Sequence, residues 1–253
     1  MTSTVASTQP VSARAAGDGW RTAARGFGQL LITCGVVILL FVAYELWFTG
    51  FYTQQQQDKI DHQIQQQWKG NGPDVSLLTP DKVKLGSGVA VLYIPRFGRH
   101  YHFVVVEGTD FNDLQKGPGH YPGTALPGQV GNFAVAGHRT TYLHPFNKIA
   151  TLRNHDVIVL ETKTMWFTYT IENIPNTNIP WREIVVPTKV EVAYPVPDQP
   201  DPNAKPTLKL LTFTSCHPEY SASHRYVIHA MLTESLQKAP GVYPAALTHP
   251  VGR

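Results

Sequence analysis

LTFTSCHPEYSASHRYVIHAML, residues 211–232, is two apolar runs joined by a polar turn. Thr, Phe, Tyr, Val and Ile dominate both runs, the composition of paired strands. Cys216 ends the first run, and Arg225 opens the second nine residues later. If the runs are hairpin neighbours, their ends meet at that turn. Adjacent strands lie about 4.8 Å apart, so a guanidinium there can reach a group bonded to the thiol.

The same β grammar extends upstream. Short β-branched or aromatic runs occupy 89–94, 102–107, 132–136, 156–161 and 165–171, with Pro, Gly and Asn between them. That pattern predicts an all-β sandwich or barrel. Residues 145–152 read as a short helical turn. Residues 173–206 form a long connection with a strand-like 185–192, followed by Pro195, Pro197, Pro200, Pro202 and Pro206. Connections of that length inside a β domain are usually functional or disordered.

Charged residues make up only 15% of the chain, and part of that deficit is local. Residues 30–48, LLITCGVVILLFVAYELWF, carry one charge, Glu45. As a helix this run spans about 28 Å, close to the roughly 30 Å apolar core of a bilayer. It exceeds the apolar core of a signal peptide, and no small-residue cleavage site follows it. A single-pass anchor is expected. Arg14, Arg21 and Arg25 precede it, so residues 1–29 are expected as a disordered cytoplasmic tail and the rest outside the cell. Residues 49–85 read as a stalk and linker. Its Gln-rich helix carries one apolar stripe of Ile60, Ile64 and Trp68. Residues 86–237 are expected as the catalytic domain, and 238–253 as a C-terminal tail. The net charge of +3, with no cationic cluster interleaved with aromatics, gives no nucleic-acid surface.

Of the two cysteines, Cys34 lies in the apolar run, which leaves Cys216 as the exported thiol. A lone exported cysteine is intermolecular, reactive or simply buried. A nucleophilic thiol needs a proton partner, most often a histidine distant in sequence. There are eleven histidines, so setting must choose among them. His138 sits just past an apolar strand in NFAVAGHRTTY, where a barrel delivers a side chain to its rim. Arg225 would supply donors where negative charge develops in acyl transfer. No carboxylate stands in an obvious orienting position. The Cys and His spacings match no structural zinc site, and neither a metal nor a cofactor is expected.

GPGHYPGTALPG (117–128), AVAGHRTTY (134–142) and TFTSCHPEYSASHR (212–225), after an N-terminal anchor, resemble a sortase, most closely the class E sortases. TFTSC stands for the family's T-L-x-T-C, with Phe213 for Leu and Ser215 for Thr. The resemblance implies an eight-stranded β-barrel with short helices and a cysteine transpeptidase. Cys216 would attack the Thr–Gly carbonyl of a secreted protein's C-terminal sorting signal, His138 would protonate the departing amine, and Arg225 would hold the oxyanion. A lipid-linked cell-wall precursor or a pilin lysine would supply the accepting amine. Tyr121 occupies the place tied to Ala at the signal's second position, LAXTG against LPXTG. Three other readings stay open. They are an exported cysteine peptidase, an L,D-transpeptidase (whose cysteine motif places a glycine shortly before the thiol), and a non-catalytic anchored domain.

Overall fold

Alternation along the 211–232 hairpin separates an inner from an outer face. In the computed structural model, which describes residues 18–44 and 49–248, the two runs are β8 (Lys209–His217) and β9 (His224–Gln237). Leu211 and Phe213 of β8, with Tyr226 and Ile228 of β9, enter the main core, each at most 5% exposed. Thr212, Thr214 and Cys216 therefore face outward, as do Arg225 and His229.

The preceding strands are β1 (Gly88–Tyr93), β2 (His102–Glu107), β3 (Gly119–His120), β4 (Gly131–Gly137), β5 (Val157–Glu161), β6 (Met165–Ile171) and β7 (Arg182–Val185). Their order is β6-β5-β1-β2-β3-β4-β8-β9-β7, with a further β6–β9 pairing. That pairing closes eight of the nine strands into a ring, while β7 shares β9's edge with β6. Closure removes the open edges that invite aggregation. The interior is filled by aromatic and branched side chains, Phe133, Val135, Phe146 and Tyr169 among them.

Two sequence expectations are corrected near the N-terminal side. The helix α1 (Asp18–Ala43) starts well before residue 30. Within Gly19–Ala43 the most apolar 18 residues have mean hydropathy 2.3, making this the one helix among the described residues long and apolar enough to cross a membrane. The tail's residues 1–17 and the run's last four, 45–48, lie outside the described residues. The Gln-rich helix α2 (Thr49–Lys69) is no free-standing stalk. Ile60 and Ile64, 4% and 2% exposed, pack on Val91, Val104 and Val106 of the barrel's outer face. Gln57 completes the joint. Its Oε1 accepts from Val104 N at 2.7 Å, and its Nε2 donates to the carbonyls of Val104 and Lys116 at 3.1 and 2.6 Å. One glutamine amide thus satisfies both backbone groups of Val104, on the stretch of β2 that the two-residue β3 leaves unpaired, a role that polarity alone disguised as solvation.

Two further elements differ. The strand foreseen over 185–192 is β7 up to Val185, then a 3-10 turn, Val190–Ala193. The C-terminal tail is docked where it leaves β9. Lys238 donates its backbone N–H to Thr164 O at 2.8 Å, and its Nζ lies 4.3 Å from the Trp68 ring centroid. Residues 249–253 lie outside the described residues.

Asp74 fastens the connection from α2 to β1. It is 3% exposed. It accepts from the backbone N–H groups of Ser76 and Thr164 at 2.8 and 2.6 Å, and from the hydroxyls of Thr162 and Thr164 at 2.8 and 2.7 Å. Burial alone would raise its pKa, but these donors together hold it below the ordinary carboxylate value. A carboxyl depressed in the folded state stabilises above its unfolded pKa, and that contribution fades as pH falls through the folded value. Asp74→Ala is expected to cost about 3 kcal/mol in chemical denaturation at neutral pH. The gap from the parent should narrow below about pH 4, near the unfolded value. A gap equal at pH 7 and pH 3 would remove the charge from the account.

Candidate active site

Register places the three expected residues. β4 runs parallel to β8, and their last pair is Gly137 with Ser215. His138, the next residue, therefore stands level with Cys216 on the outer face. Across the antiparallel β8–β9 ladder, Cys216 pairs directly with Arg225. His138, Cys216 and Arg225 thus share one level on three adjacent strands, a span of about 10 Å. No hydrogen bond joins the three side chains among the described residues. Catalytic contacts are often loose in unliganded enzymes.

Each side chain is set locally. A Cβ on Gly137 would fall 2.5 Å from the Phe146 ring, so only glycine lets this strand end approach the core as it does before His138. The ring of His138 lies 5.1 Å from that of Tyr142. Its Nε2 is buried and has no hydrogen-bond partner. Burial lowers its pKa, because a cation there would lose its hydration. Cys216 is partly buried. Arg225 folds its Nη1 onto its own turn, donating to the carbonyls of Ala222 and His224 at 3.0 and 3.1 Å. Those contacts hold the guanidinium at the turn where β8 meets β9.

Tyr121 follows β3, and its hydroxyl lies 2.9 Å from that of Thr214, two residues before Cys216 on the same face. The backbone beneath it is fastened by a buried cluster. His120 Nδ1 is 2.6 Å from Glu107 Oε2, and its Nε2 is 2.8 Å from the Thr124 hydroxyl, which donates to Tyr121 O at 2.8 Å. The outer face continues away from the thiol as another polar chain. The Thr212 hydroxyl donates to Asn132 Oδ1 at 2.8 Å, and Asn132 Nδ2 donates to the carbonyls of Val192 and Tyr194 at 3.2 and 3.1 Å. This chain ties the 173–206 connection to the wall beside the site.

Sequence reasoning missed Arg139. It is 7% exposed, and its Nη1 donates to Cys216 O at 3.3 Å and to His217 Nδ1 at 3.0 Å. The only signal was its place beside His138, since burial and partners are not legible in an isolated arginine. Among the described residues, no group of three or more His, Cys, Asp or Glu could hold a metal ion.

Comparison with known proteins bears on this constellation. A sortase domain model matches residues 92–233. Sortase SrtE1 of Streptomyces coelicolor is 33% identical over 226 residues, 87% of this chain, which spans 60% of that relative's length. Sortase SrtE2 of the same organism is 30% identical, over 82% of this chain and 81% of the relative. Among solved structures, sortase E from Streptomyces avermitilis is 43% identical with TM-score 0.55, covering 65% of this chain and 99% of that one. The SrtF sortase from Corynebacterium diphtheriae is 36% identical with TM-score 0.62, covering 66% of this chain and 94% of that one.

Proposed function

This chain belongs to the sortase family and most resembles its class E members, and on that premise we propose that it is a membrane-anchored transpeptidase with Cys216 as nucleophile. The observation that supports this best is the level shared by His138, Cys216 and Arg225 on β4, β8 and β9. The Cys216 thiolate attacks the Thr carbonyl of the Thr–Gly bond in a secreted protein's C-terminal sorting signal. Arg225 turns its N–H donors from the turn carbonyls to the oxyanion. As the C–N bond breaks, His138 gives its proton to the glycine amine, leaving a thioester. An amine of a cell-wall precursor or a pilin then attacks the thioester. His138 takes up that amine's proton, and the thiolate leaves with a new amide formed.

Tyr121 contributes to reading the signal's second position. Its hydroxyl is hydrogen-bonded to that of Thr214, two residues before the nucleophile on the same face. The anchor is the apolar stretch of α1, oriented with Arg14, Arg21 and Arg25 in the cytoplasm. The catalytic domain then lies outside the membrane, where secreted substrates pass.

The deciding experiment incubates the full chain in mild detergent with LAXTG and LPXTG peptides and an amine, and reads the products by mass. Peptide joined to the amine supports transfer. Cleavage with water as the sole acceptor would favour the peptidase reading instead. No cleavage, together with a thiol that labels only on unfolding, would leave an inert binding domain.

Arg225 gives a graded test. A forked guanidinium can hold a carbonyl oxygen from two directions, whereas an ammonium is a point charge. Arg225→Lys should therefore lower kcat/KM about a hundredfold, the scale of one oxyanion donor. A loss below about twofold in steady-state kinetics would return Arg225 to an ordinary surface charge.

A further inference from the structure

The wall that carries the thiol also has an inner face. Along β4 the residues that enter the core are Phe133 and Val135, and the same parity continues through Gly137 to Arg139. Along β8 it continues from Phe213 through Ser215 to His217. Arg139 and His217 therefore meet behind the strand ends whose outer face carries His138 and Cys216. The Arg139 guanidinium carbon is 5.8 Å from the ring centroid of Tyr226, and the His217 ring is 5.6 Å from the same ring.

A buried guanidinium is costly to desolvate unless a counter-charge or good acceptors compensate it. Arg139 has a carbonyl and an imidazole as its acceptors, neither of them an acid, and its Nε is buried without a partner. An arrangement this unfavourable to folding is a reason to look for a task. The task follows from the inventory of donors. Arginine can only donate, so the His217 nitrogen it touches must present a lone pair. That nitrogen is Nδ1, at 3.0 Å, and the ring's proton is therefore on Nε2. Protonating Nδ1 would set one N–H against another.

We propose that Arg139 is a positioning residue that holds His217 behind the strand as a neutral, Nε2-protonated acceptor, leaving His138 as the imidazole that exchanges a proton with the leaving and entering amines. The proposal rests on the transpeptidase reading for its functional half alone. Of the other groups around His217, His224 acts in the same sense as Arg139. His224 faces it across the ladder, Arg225 and Tyr226 follow on β9, and Cys216 precedes it on β8. Glu219 and Tyr220, in the turn, are the remaining titratable neighbours, and no ion pair joins Glu219 to His217 among the described residues. Burial first, then the charge of Arg139, then His224, lower the pKa of His217. The unclaimed Nε2 of His138 lies on the opposite face.

The test uses the full chain in detergent with ring-labelled histidine, the His217 signal being identified by its loss in His217→Asn. The unsubstituted protein should show the Nε2–H tautomer by its nitrogen shifts, and an Nδ1–H form overturns the proposal without any variant. In Arg139→Gln the His217 midpoint should rise by at least about half a pH unit, since a nearby positive charge has gone. Arg139→Lys, which keeps the charge, should return it towards the parent. An unmoved midpoint in Arg139→Gln overturns the electrostatic account. With peptide and amine, Arg139→Gln should lower kcat about tenfold with KM little changed, and turnover within twofold of the parent overturns the functional half. The ring readout needs no substrate, so failure of the transpeptidase reading would leave it standing.

Discussion

Replacing Cys216 by Ala is expected to remove both cleavage and transfer, a loss of about four orders of magnitude or more, with an unchanged far-ultraviolet circular dichroism spectrum. The other cysteine, Cys34, lies in the apolar α1 and belongs to a separate structural unit. Effects on groups that act as a unit are far larger than those on groups that tune, and loss of the attacking atom is the extreme case. The fold should tolerate the change. Cys216 is only partly buried, at the open end of β8, and its register pairing with Arg225 is made by the backbone. Retained turnover with a native spectrum would end the cysteine-nucleophile reading. Lost turnover with a collapsed spectrum would call for Cys216→Ser, which keeps the volume and still removes the thiolate.

The strands were legible because their period is two and their boundaries are marked by Pro, Gly and Asn. The runs foreseen at 102–107 and 165–171 are β2 and β6 to the residue. The hairpin of residues 211–232 carried the most, since its turn length alone placed a thiol opposite a guanidinium. What stayed hidden depends on partners remote in sequence. Gln57 looks like one more solvated amide in a run of glutamines. It acquires its meaning only from Val104, 47 residues away, whose backbone it pairs. The strand-like 185–192 shows the converse error. Valines at 185, 186, 190 and 192 favour β structure, but Val185 already pairs with Arg225, one residue from the start of β9 at His224, so no partner strand is left for the valines that follow. Of the site, the sequence spacing and the resemblance to sortases singled out the outer-face residues. The inner-face pair of Arg139 and His217 was invisible, because nothing in the chain says that an arginine beside a histidine turns to the opposite side of the wall.

His138→Gln should be nearly as damaging as loss of the thiol, with a fall of about a thousandfold, within the range of removing a general acid. The geometry gives the reason and the pH dependence gives the check. His138 stands level with Cys216, its Nε2 buried and unclaimed, so an approaching leaving group meets an imidazole with no competing partner. Burial holds the ring below the ordinary histidine value of about 6.5. The sign matters here. A lowered pKa means the imidazolium is lost early as pH rises, whereas thiolate is gained only as pH rises. The competent pairing, imidazolium with thiolate, therefore leans on attraction between the two charges. The pH–rate profile should accordingly be bell-shaped, with limbs that belong to the coupled pair. Without the thiol the coupling is gone, so in Cys216→Ala the His138 ring should titrate below about 6.5 by nuclear magnetic resonance. A value at or above the ordinary one in that variant would show that something other than the thiolate supports the imidazolium. His144→Gln serves as the control and should retain most of the activity. If His138→Gln kept more than about a tenth of the parent rate, general-acid catalysis worth at least about a hundredfold could not reside there. The proton for the leaving amine would then have to come from another residue near the thiol.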